Sequence, residues 1–323
     1  MPSLTYRSLY PEDIDQISKI ESSLAGSPRR DYLEKRLAVA TAMPDSFVTC
    51  AALDGERVAG YAFARIQEGE FGANSAVAVL DTLGVDSDFQ GQGIGKQVLA
   101  GIERRMRCKG IGTLLTQISW SNHAMIRFFA STGFILATGQ IIERDTSPLA
   151  KDAAADSRAC CNSSDAACPG EGAKPPRSVI SVRPLMGTDM AAIDRIDTKL
   201  TGMDRSAYFS TKFREMLDES GARVSMVAES NGAIAGFIMA RVDFGEFGRV
   251  TKAAVLDSIG VHPSQAGSGI GHALLSTLLT DLAALQVEIL RTKVEHENHD
   301  LRIFLSRRGF KPSQRLLLTK EIH

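Results

Sequence analysis

The chain has 323 residues, of which 44% are hydrophobic, 23% charged and 6% aromatic, the profile of a folded protein long enough for about two domains. This composition excludes a single small domain, a fibrous protein and a disordered one. With 37 Lys plus Arg against 38 Asp plus Glu, the net charge of -1 offers no basic field, so we expect no nucleic acid partner. We also expect no membrane partner and a cytoplasmic location, because no apolar run reaches the roughly 18 residues of a spanning helix and the first residues lack a signal-peptide pattern.

Hydrophobic periodicity predicts that the first part of the chain alternates between strands and helices. Ile14, Ile17 and Ile20 recur at helical spacing, and Asp54-Gly55 is a turn signal between two apolar runs, typical of a hairpin. In chain order we expect a strand (5–9), two helices (12–24, 29–40), a hairpin (47–53, 57–66), a strand (75–85), a helix (94–106), a strand (113–119), a helix (122–131) and a strand (134–142). The strand at 75–85 is apolar on both faces, which predicts a central position. This order indicates an α/β fold with a mixed, mostly antiparallel central sheet flanked by helices.

The sequence repeats itself at an offset of 176 residues. Residues 80–95, LDTLGVDSDFQGQGIG, align without a gap with residues 256–271, LDSIGVHPSQAGSGIG, and eight of the sixteen positions are identical. The segment GEFG also recurs, at 69–72 and at 245–248. A repeat of this length is a domain rather than the short unit of a solenoid.

The duplication divides the chain into two domains and a linker. We predict a first copy at 1–145 and a second copy at 179–323, each folding separately. Residues 146–178 are rich in Ala, Ser, Asp, Gly and Pro and have almost no large apolar side chains, as in a flexible linker. Three of the five cysteines lie in this linker, namely Cys160, Cys161 and Cys168. No His accompanies them, so we expect no metal site.

A glycine-rich turn, QGQGIG at residues 90–95, joins the predicted central strand to the following helix. The backbone amides of such a turn converge at the positive end of the helix dipole, which suits a pyrophosphate. No GK[ST] follows, and the glycine spacing differs from GxGxxG, so neither a Walker loop nor a Rossmann fingerprint is indicated. By itself, the turn is also compatible with a purely structural role.

Residues 85–95 resemble motif A of the GNAT superfamily of acyl-CoA-dependent N-acetyltransferases, whose pattern is QxxGxG or RxxGxG after a central strand. Three residues match that pattern, namely Gln90, Gly93 and Gly95. Further on, residues 122–134 resemble motif B, in which an Asn begins a helix and a Gly-Phe pair ends it. The second copy keeps both motifs, except that Ala266 replaces the Gln. The resemblance covers both repeats and implies two GNAT-like domains.

The resemblance implies acetyl-CoA as cosubstrate. The amides of residues 89–95 would bind the coenzyme pyrophosphate, the backbone of 83–85 would bind the pantetheine, and Asn122 would lie near the thiol. Lys96 would meet the phosphates or be a plain solvated charge. The implied coenzyme-binding residues of the first copy are Leu83, Gly84, Val85, Gln90, Gly91, Gln92, Gly93, Ile94, Gly95, Lys96 and Asn122. Those of the second copy are Val261, Gly267, Ser268, Gly269, Ile270, Gly271 and Asn298.

Transfer to an amine requires a general base, because a lysine ammonium has a pKa of about 10.4 in water. Asp81 and Asp257 occupy matching positions in the otherwise apolar central strand, where a buried carboxylate needs a reason. The resemblance favours proton removal near the acetyl group, and the alternative is a structural carboxylate bonded to backbone amides. Glu70 and Glu246, in the GEFG segments, are further candidates that would face the acceptor or be merely solvated.

The resemblance also implies a Tyr in motif B that protonates the departing thiolate, and this chain lacks it. Phe129 and Leu305 stand at that position in the two copies. The thiolate then leaves unassisted, another group donates, or the domain binds acyl-CoA without fast chemistry. His123 and His299 follow the motif B Asn and are candidate acids, although a His on a first helical turn is usually exposed and idle.

These features predict an N-acetyltransferase that moves an acetyl group from acetyl-CoA to a primary amine, either a protein lysine or a small amine. The first copy is the predicted active one, because the second lacks the Gln of motif A. The alternative is a non-catalytic pseudo-dimer that binds or senses acyl-CoA, which the missing Tyr and Ala266 favour. Either hypothesis is compatible with a monomer containing an internal pseudo-dimer or with a homo-oligomer.

Overall fold

The computed structural model describes residues 4–25, 30–67, 76–149, 180–218, 224–244 and 252–323. Within these ranges the chain forms eight α-helices and fourteen β-strands, which follow the same order in both copies. The helices are α1 (Ile14–Ala25), α2 (Arg30–Ala42), α3 (Ile94–Cys108), α4 (His123–Ser131), α5 (Met190–Thr201), α6 (Ser206–Asp218), α7 (Ile270–Ala284) and α8 (His299–Arg307). The strands are β1 (Thr5–Arg7), β2 (Phe47–Asp54), β3 (Arg57–Gln67), β4 (Val77–Val85), β5 (Thr113–Ser119), β6 (Ile135–Leu136), β7 (Gly139–Asp145), β8 (Ile180–Pro184), β9 (Met226–Ser230), β10 (Ala233–Phe244), β11 (Lys252–Val261), β12 (Ile289–Glu295), β13 (Lys311–Pro312) and β14 (Arg315–Glu321). The predicted linker from residue 150 onward, with Cys160, Cys161 and Cys168, lies outside the described residues.

The local sequence determines the hairpin turns and the helices, as two examples show. In the second copy, Asn231 and Gly232 join β9 to β10 with φ values of +53° and +77°. Positive φ at both central residues is the type I′ turn, whose twist matches that of the paired strands. Helix α1 buries Ile17 and Ile20 against the sheet, as their spacing predicts. In the described part of the chain, no helix combines the length and the apolar character needed to cross a membrane.

Two seven-stranded sheets form the framework of the molecule. One has the order β1-β2-β3-β4-β5-β14-β6 and the other β8-β9-β10-β11-β12-β7-β13. The pairs β4–β5 and β11–β12 are parallel, and the other neighbours are antiparallel. Apolar side chains of α3 and α4 pack on one face of the first sheet, and those of α1 and α2 pack on the other. The prediction of mixed, mostly antiparallel sheets flanked by helices is confirmed, and β4 is central as expected.

The last strand of each copy lies in the sheet of the other copy. β14, near the end of the chain, forms seven residue pairs with β5. β7, which ends the first copy, likewise forms seven pairs with β12. Each exchanged strand is inserted between two strands of the other copy, so both sheets contain residues from both repeats.

Two expectations from the sequence are wrong at this point. The predicted strand at 134–142 is two strands, β6 and β7, which belong to different sheets because the chain crosses over at residues 137–138. The segments 1–145 and 179–323 are not structurally separate, since each completes the sheet of the other. Alternating hydrophobicity predicts that a segment is extended, but it does not choose between two homologous sheet positions.

Cutting the chain once within residues 150–179, at an inserted protease site, is expected to leave the two pieces bound to each other in native buffer. The two exchanged strands hold them together through seven residue pairs each. Size-exclusion chromatography before and after cleavage checks this, with a denaturant-treated sample as the control for complete cutting. A single peak of unchanged mass is expected, and two native peaks of about half the mass would contradict the exchange.

Candidate active site

The two parallel neighbours of the first sheet, β4 and β5, separate before either strand ends. Their pairing stops at Leu80↔Thr116, although both strands continue beyond it. The Thr116 Oγ1 donates to the Leu80 carbonyl at 3.3 Å and closes the narrow end of this wedge. β11 and β12 separate in the same way, and the Thr292 Oγ1 donates to the Leu256 carbonyl at 2.9 Å. Beyond these threonines, the central strand of each sheet has no paired strand on this side.

The residues expected to bind pantetheine lie along this open edge. Leu83, Gly84 and Val85 are the last three residues of β4, and Val261 is the last residue of β11. On their other side these strands stay paired, β4 with β3 and β11 with β10. Each central strand is therefore held firmly on one side and open on the other.

The glycine turn follows β4 and begins α3. Gly91 and Gly93 have φ values of +76° and +81°, which glycine adopts without strain. Gly93 directly precedes the helix, and no side chain caps the helix there. The expectation that all amides of residues 89–95 are open to an anion is wrong for the first two, because the Phe89 amide donates to the Asp86 carbonyl at 2.9 Å and the Gln90 amide to the Ser87 carbonyl at 3.4 Å. The amides of residues 91–95 donate no hydrogen bond to the described part of the chain. They form a cluster of unused N–H donors at the positive end of a 15-residue helix, which is an anion site in physical terms.

The second copy keeps the same turn. Gly267 and Gly269 have φ values of +76° and +90°, and Gly269 precedes α7 without a side-chain cap. One amide is engaged, because Ser268 donates to the Gln265 carbonyl at 3.3 Å. The other residues expected at the two turns lie in the first turn of the helices: Ile94, Gly95, Ile270 and Gly271.

Two side chains expected to bind the coenzyme hold the first turn together. The Gln90 Nε2 donates to the Val85 carbonyl at 3.3 Å, and the Gln92 Nε2 donates to the Asp88 carbonyl at 3.2 Å. Lys96 is exposed on the first turn of α3. The glutamines therefore shape the turn, and its amides are the groups left over for an anion.

The segment before the turn carries different charges in the two copies. In the first copy, Arg57 pairs with Asp86 at 2.8 Å and with Asp88 at 2.6 Å. Desolvation acts to raise the pKa of Asp86, but hydrogen bonds from Arg57 and from the Asp88 amide hold it below its usual value. In the second copy, the Lys199 Nζ lies 2.9 Å from the His262 Nε2. The residues beside the turn thus include two carboxylates in the first copy and a lysine with a histidine in the second.

The motif B asparagines act as helix caps. The Asn122 Oδ1 accepts from the Met125 amide at 3.1 Å, and the Asn298 Oδ1 accepts from the Leu301 amide at 3.2 Å. These oxygens satisfy the first turns of α4 and α8. The observed contacts of both asparagines are therefore structural.

The positions where motif B has its Tyr supply packing and no proton donor. Phe129 and Leu305 are 2% and 0% exposed and belong to the two main cores. His123 and His299 lie exposed at the start of α4 and α8.

The two aspartates of the central strands are buried in matching β-bulges. Asp81 is 2% exposed and Asp257 is 5% exposed. Each lies where the register with the antiparallel neighbour shifts by one residue. Bulges of this kind re-aim a side chain and are common beside active sites. The other two candidate carboxylates, Glu70 and Glu246, lie outside the described residues.

The partners of the two aspartates differ, although an arginine stands at the same place in each copy. The Arg241 Nη1 donates to the Asp257 Oδ1 at 2.5 Å. In the first copy, within the residues that the structure describes, neither carboxyl oxygen of Asp81 has a hydrogen-bond partner, and the Nε and Nη2 of Arg65 have none. The alternative expectation for Asp81, a structural carboxylate bonded to backbone amides, is therefore wrong.

A second ion pair lies beside Asp257 and has no counterpart in the first copy. The Arg291 Nε, on β12, donates to the Glu143 Oε2 at 2.9 Å, and Glu143 lies on the exchanged strand β7. The matching residues of the first sheet, at the offset of 176, are Leu115 and Thr319. Sequence reasoning missed the arginines of both sites. The signal that could have found them is the one that singled out Asp81, a charge inside an otherwise apolar strand.

Comparison with known proteins gives two matches along the chain to one family model. Residues 14–134 and 191–310 each match the Acetyltransferase (GNAT) family. A relative, the [Ribosomal protein bS18]-alanine N-acetyltransferase of Escherichia coli strain K12, is 31% identical over 131 residues, which span 39% of this chain and 84% of that protein.

Solved structures show the same architecture. A tandem GNAT protein from the clavulanic acid biosynthesis pathway matches with a TM-score of 0.64 at 18% identity, over 99% of both chains. A GCN5-related N-acetyltransferase from Sphaerobacter thermophilus matches with a TM-score of 0.57 at 16% identity, over 99% of this chain and 96% of that one. These similarities are of fold alone. The two segments that match the family model together span most of the chain. The chain therefore belongs to the GNAT family of N-acetyltransferases.

Proposed function

We propose that the chain transfers an acetyl group from acetyl-CoA to a primary amine, and that the first copy carries out the transfer. The observation that carries this proposal is the cluster of unused amides at residues 91–95, beside the open edge of β4. A pyrophosphate fits this cluster, because an anion there satisfies the N–H groups and the helix dipole together. Pantetheine fits the open edge, because its amides can complete the hydrogen bonding of the strand. The proposed acceptor is a protein lysine or a small amine in the cytoplasm, with no nucleic acid or membrane partner.

Asp81 is the proposed general base. It lies one residue beyond the point where β4 and β5 separate, so a group that enters the wedge from the glycine turn ends beside it. Its unpaired carboxylate accepts a proton from the acceptor ammonium, and the neutral amine attacks the thioester carbon. The C–N bond forms as the C–S bond breaks, the sulfur leaves with the electron pair, and the nitrogen of the new amide releases its second proton to water. Glu70 stays a proposed second carboxylate of this site.

The missing motif B Tyr is compatible with this chemistry. A coenzyme A thiol resembles that of cysteine, with a pKa of about 8.5, so its thiolate is a tolerable leaving group near neutral pH. Water can then carry the proton released by the amide nitrogen to the thiolate sulfur. Because Phe129 and Leu305 cannot protonate the thiolate, transfer is slower than with a Tyr at this position, but it is not prevented.

For the second copy we propose coenzyme binding with slow transfer or none. Its turn keeps the positive φ values and the uncapped helix, but Asp257 is engaged by Arg241. A carboxylate held in an ion pair is a poorer proton acceptor. This ion pair favours, for the second copy alone, the alternative function of a non-catalytic acyl-CoA-binding module.

Replacing Asp81 by Asn is expected to lower kcat for acetyl transfer by about 100-fold or more, because the amide cannot accept the proton. The matched change Asp257→Asn is expected to keep most of the activity. Release of coenzyme A thiol with a panel of amines measures both. Equal losses in the two variants would assign transfer to both copies, and a loss confined to Asp257→Asn would move the active site to the second copy.

Titration calorimetry with acetyl-CoA is expected to count two sites per chain, of which Gly93→Ala removes one and Gly269→Ala the other. Alanine at φ values of +81° and +90° is strained by about 1–2 kcal/mol, so the turn changes conformation and its N–H groups no longer point at the same anion. Gly55→Ala, at a hairpin turn with φ +61°, is the matched control and should keep both sites. Two sites that persist in Gly93→Ala would contradict the assignment of the turn.

The unfolding free energy is expected to respond differently to the two aspartate changes. Asp257→Asn should lower it by about 3 kcal/mol, because the change leaves the half-buried Arg241 without the carboxylate of the buried Asp257. Asp81→Asn should raise it, or change it by less than about 1 kcal/mol, because the change removes a buried charge that has no partner. Urea unfolding followed by circular dichroism tests both. A loss of about 3 kcal/mol in both variants would mean that Asp81 is also in an ion pair.

A further inference from the structure

We infer that the amine acceptor of the first copy also carries a carboxylate, as an amino acid does, and that Arg65 binds that carboxylate while Asp81 receives the amine. This inference rests on the proposed function and narrows its acceptor to one chemical class. It is carried by the unsatisfied state of two buried, oppositely charged side chains on adjacent strands.

Both side chains are buried without partners. Arg65 is 5% exposed and Asp81 is 2% exposed. The Nε and Nη2 of Arg65 and both carboxyl oxygens of Asp81 are buried and form no hydrogen bond. Charged groups taken out of water lose hydration that only a partner can replace, and buried polar groups in native proteins are normally satisfied. Such groups next to a proposed reaction centre are suited to a ligand that supplies the partners.

The other copy shows the same two positions in a closed state. Arg241 and Asp257 occupy the matching positions, lie in the same bulged register and bond to each other at 2.5 Å. The backbone therefore allows the pair to close, and the second copy uses that option. The first copy keeps its two charges separate, so they remain available to an incoming molecule.

The free donors of Arg65 have the geometry of a carboxylate site. The two unsatisfied nitrogens, Nε and Nη2, lie on one edge of the planar guanidinium and present parallel N–H bonds. That edge matches the two oxygens of a carboxylate in a bidentate hydrogen-bonded pair. Asp81 offers the complementary group for an ammonium. A molecule with both charges satisfies the two side chains at once, whereas a simple amine leaves Arg65 without a partner.

The surroundings agree with a small zwitterion. In the second copy, the neighbouring strands add Arg291 and Glu143, which lie opposite each other and form an ion pair. In the first copy those positions are Leu115 and Thr319, so the row across β3, β4, β5 and β14 is Arg65, Val79, Leu115 and Thr319, with Arg65 as its one charged member. Asp81 lies two residues beyond Val79 on β4. A protein lysine has no free carboxylate beside its amine. Free amino acids are therefore favoured over lysine side chains as acceptors.

Acceptors that differ only in the carboxylate test this subsite. Initial rates with acetyl-CoA are measured for α-amino acids, for ω-amino acids such as β-alanine, and for the carboxamide of each. Wild type is expected to prefer the carboxylate member of a pair by about 100-fold in kcat/KM, because a site with unpaired donors rejects an acceptor that lacks the oxygens. The α and ω series show which spacing of amine and carboxylate fits.

Arg65→Gln is expected to abolish this preference, and Arg65→Lys, which keeps the charge without the fork, should give an intermediate preference. Arg241→Gln is the matched control in the second copy and should leave the preference as in wild type. If Arg65→Gln lowers rates for carboxylates and carboxamides by the same factor, Arg65 is a structural residue and the inference is wrong. If Arg65→Gln does not fold, Arg65→Lys replaces it, and a preference as strong as that of wild type would overturn the inference.

A binding experiment separates this inference from the proposed function. Calorimetry measures amino acid binding to the intact chain saturated with coenzyme A, for wild type and Arg65→Lys. Binding that weakens at least about tenfold in Arg65→Lys, without turnover of any amine, would uphold the carboxylate subsite and overturn the transferase proposal. Turnover of simple amines without any advantage for carboxylates would uphold the transferase and overturn the subsite.

Discussion

The separation of β4 from β5 beyond Leu80 and Thr116 is the constraint on which the candidate site depends. If the two strands stayed paired to their ends, the backbone groups of residues 83–85 would be satisfied within the sheet and no molecule could bind along them. The role of the glycine turn depends on the same separation, because the turn places the start of α3 next to the open edge of β4. The role proposed for Asp81 depends on it as well, since Asp81 lies at the narrow end of the wedge between β4 and β5.

The two copies handle the same buried charges in different ways. In the second copy, the charges on the floor of the site have partners, through Arg241 with Asp257 and Arg291 with Glu143. In the first copy, Arg65 and Asp81 keep their orphaned atoms. Desolvation penalises both arrangements, but a closed pair offsets the penalty within the protein, whereas an open pair depends on a bound molecule. Duplication has thus produced one site whose charged side chains pair with each other and one whose charged side chains do not.

Much of this architecture could be predicted from the sequence. The offset of 176 residues, the spacing of Ile14, Ile17 and Ile20, and the glycine turn at 90–95 are local patterns, and local patterns determine helices, hairpins and tight turns. The position of β4 at the centre of the sheet followed from its two apolar faces. Asp81 stood out as a lone charge in that strand.

The remaining features depend on contacts between distant parts of the chain. No local signal distinguishes β7 pairing with β12 from β14 doing so, because the two strands are homologous segments with similar hydrophobic alternation. Asp257 pairs with Arg241 on the adjacent strand, and Glu143 reaches β12 only through the strand exchange. Such pairings arise from tertiary structure, where sequence spacing gives no information.

The strand exchange also bears on how such a duplicated chain can evolve. Each half lends the other a strand that sits inside its sheet, so deleting either half would leave an unfilled gap and two bare edges in the survivor. Side chains of one site can change without affecting the other site, but the strands that carry them are needed to complete the sheet of the other copy. Each repeat is therefore retained as a structural part of the other, whatever becomes of its own site.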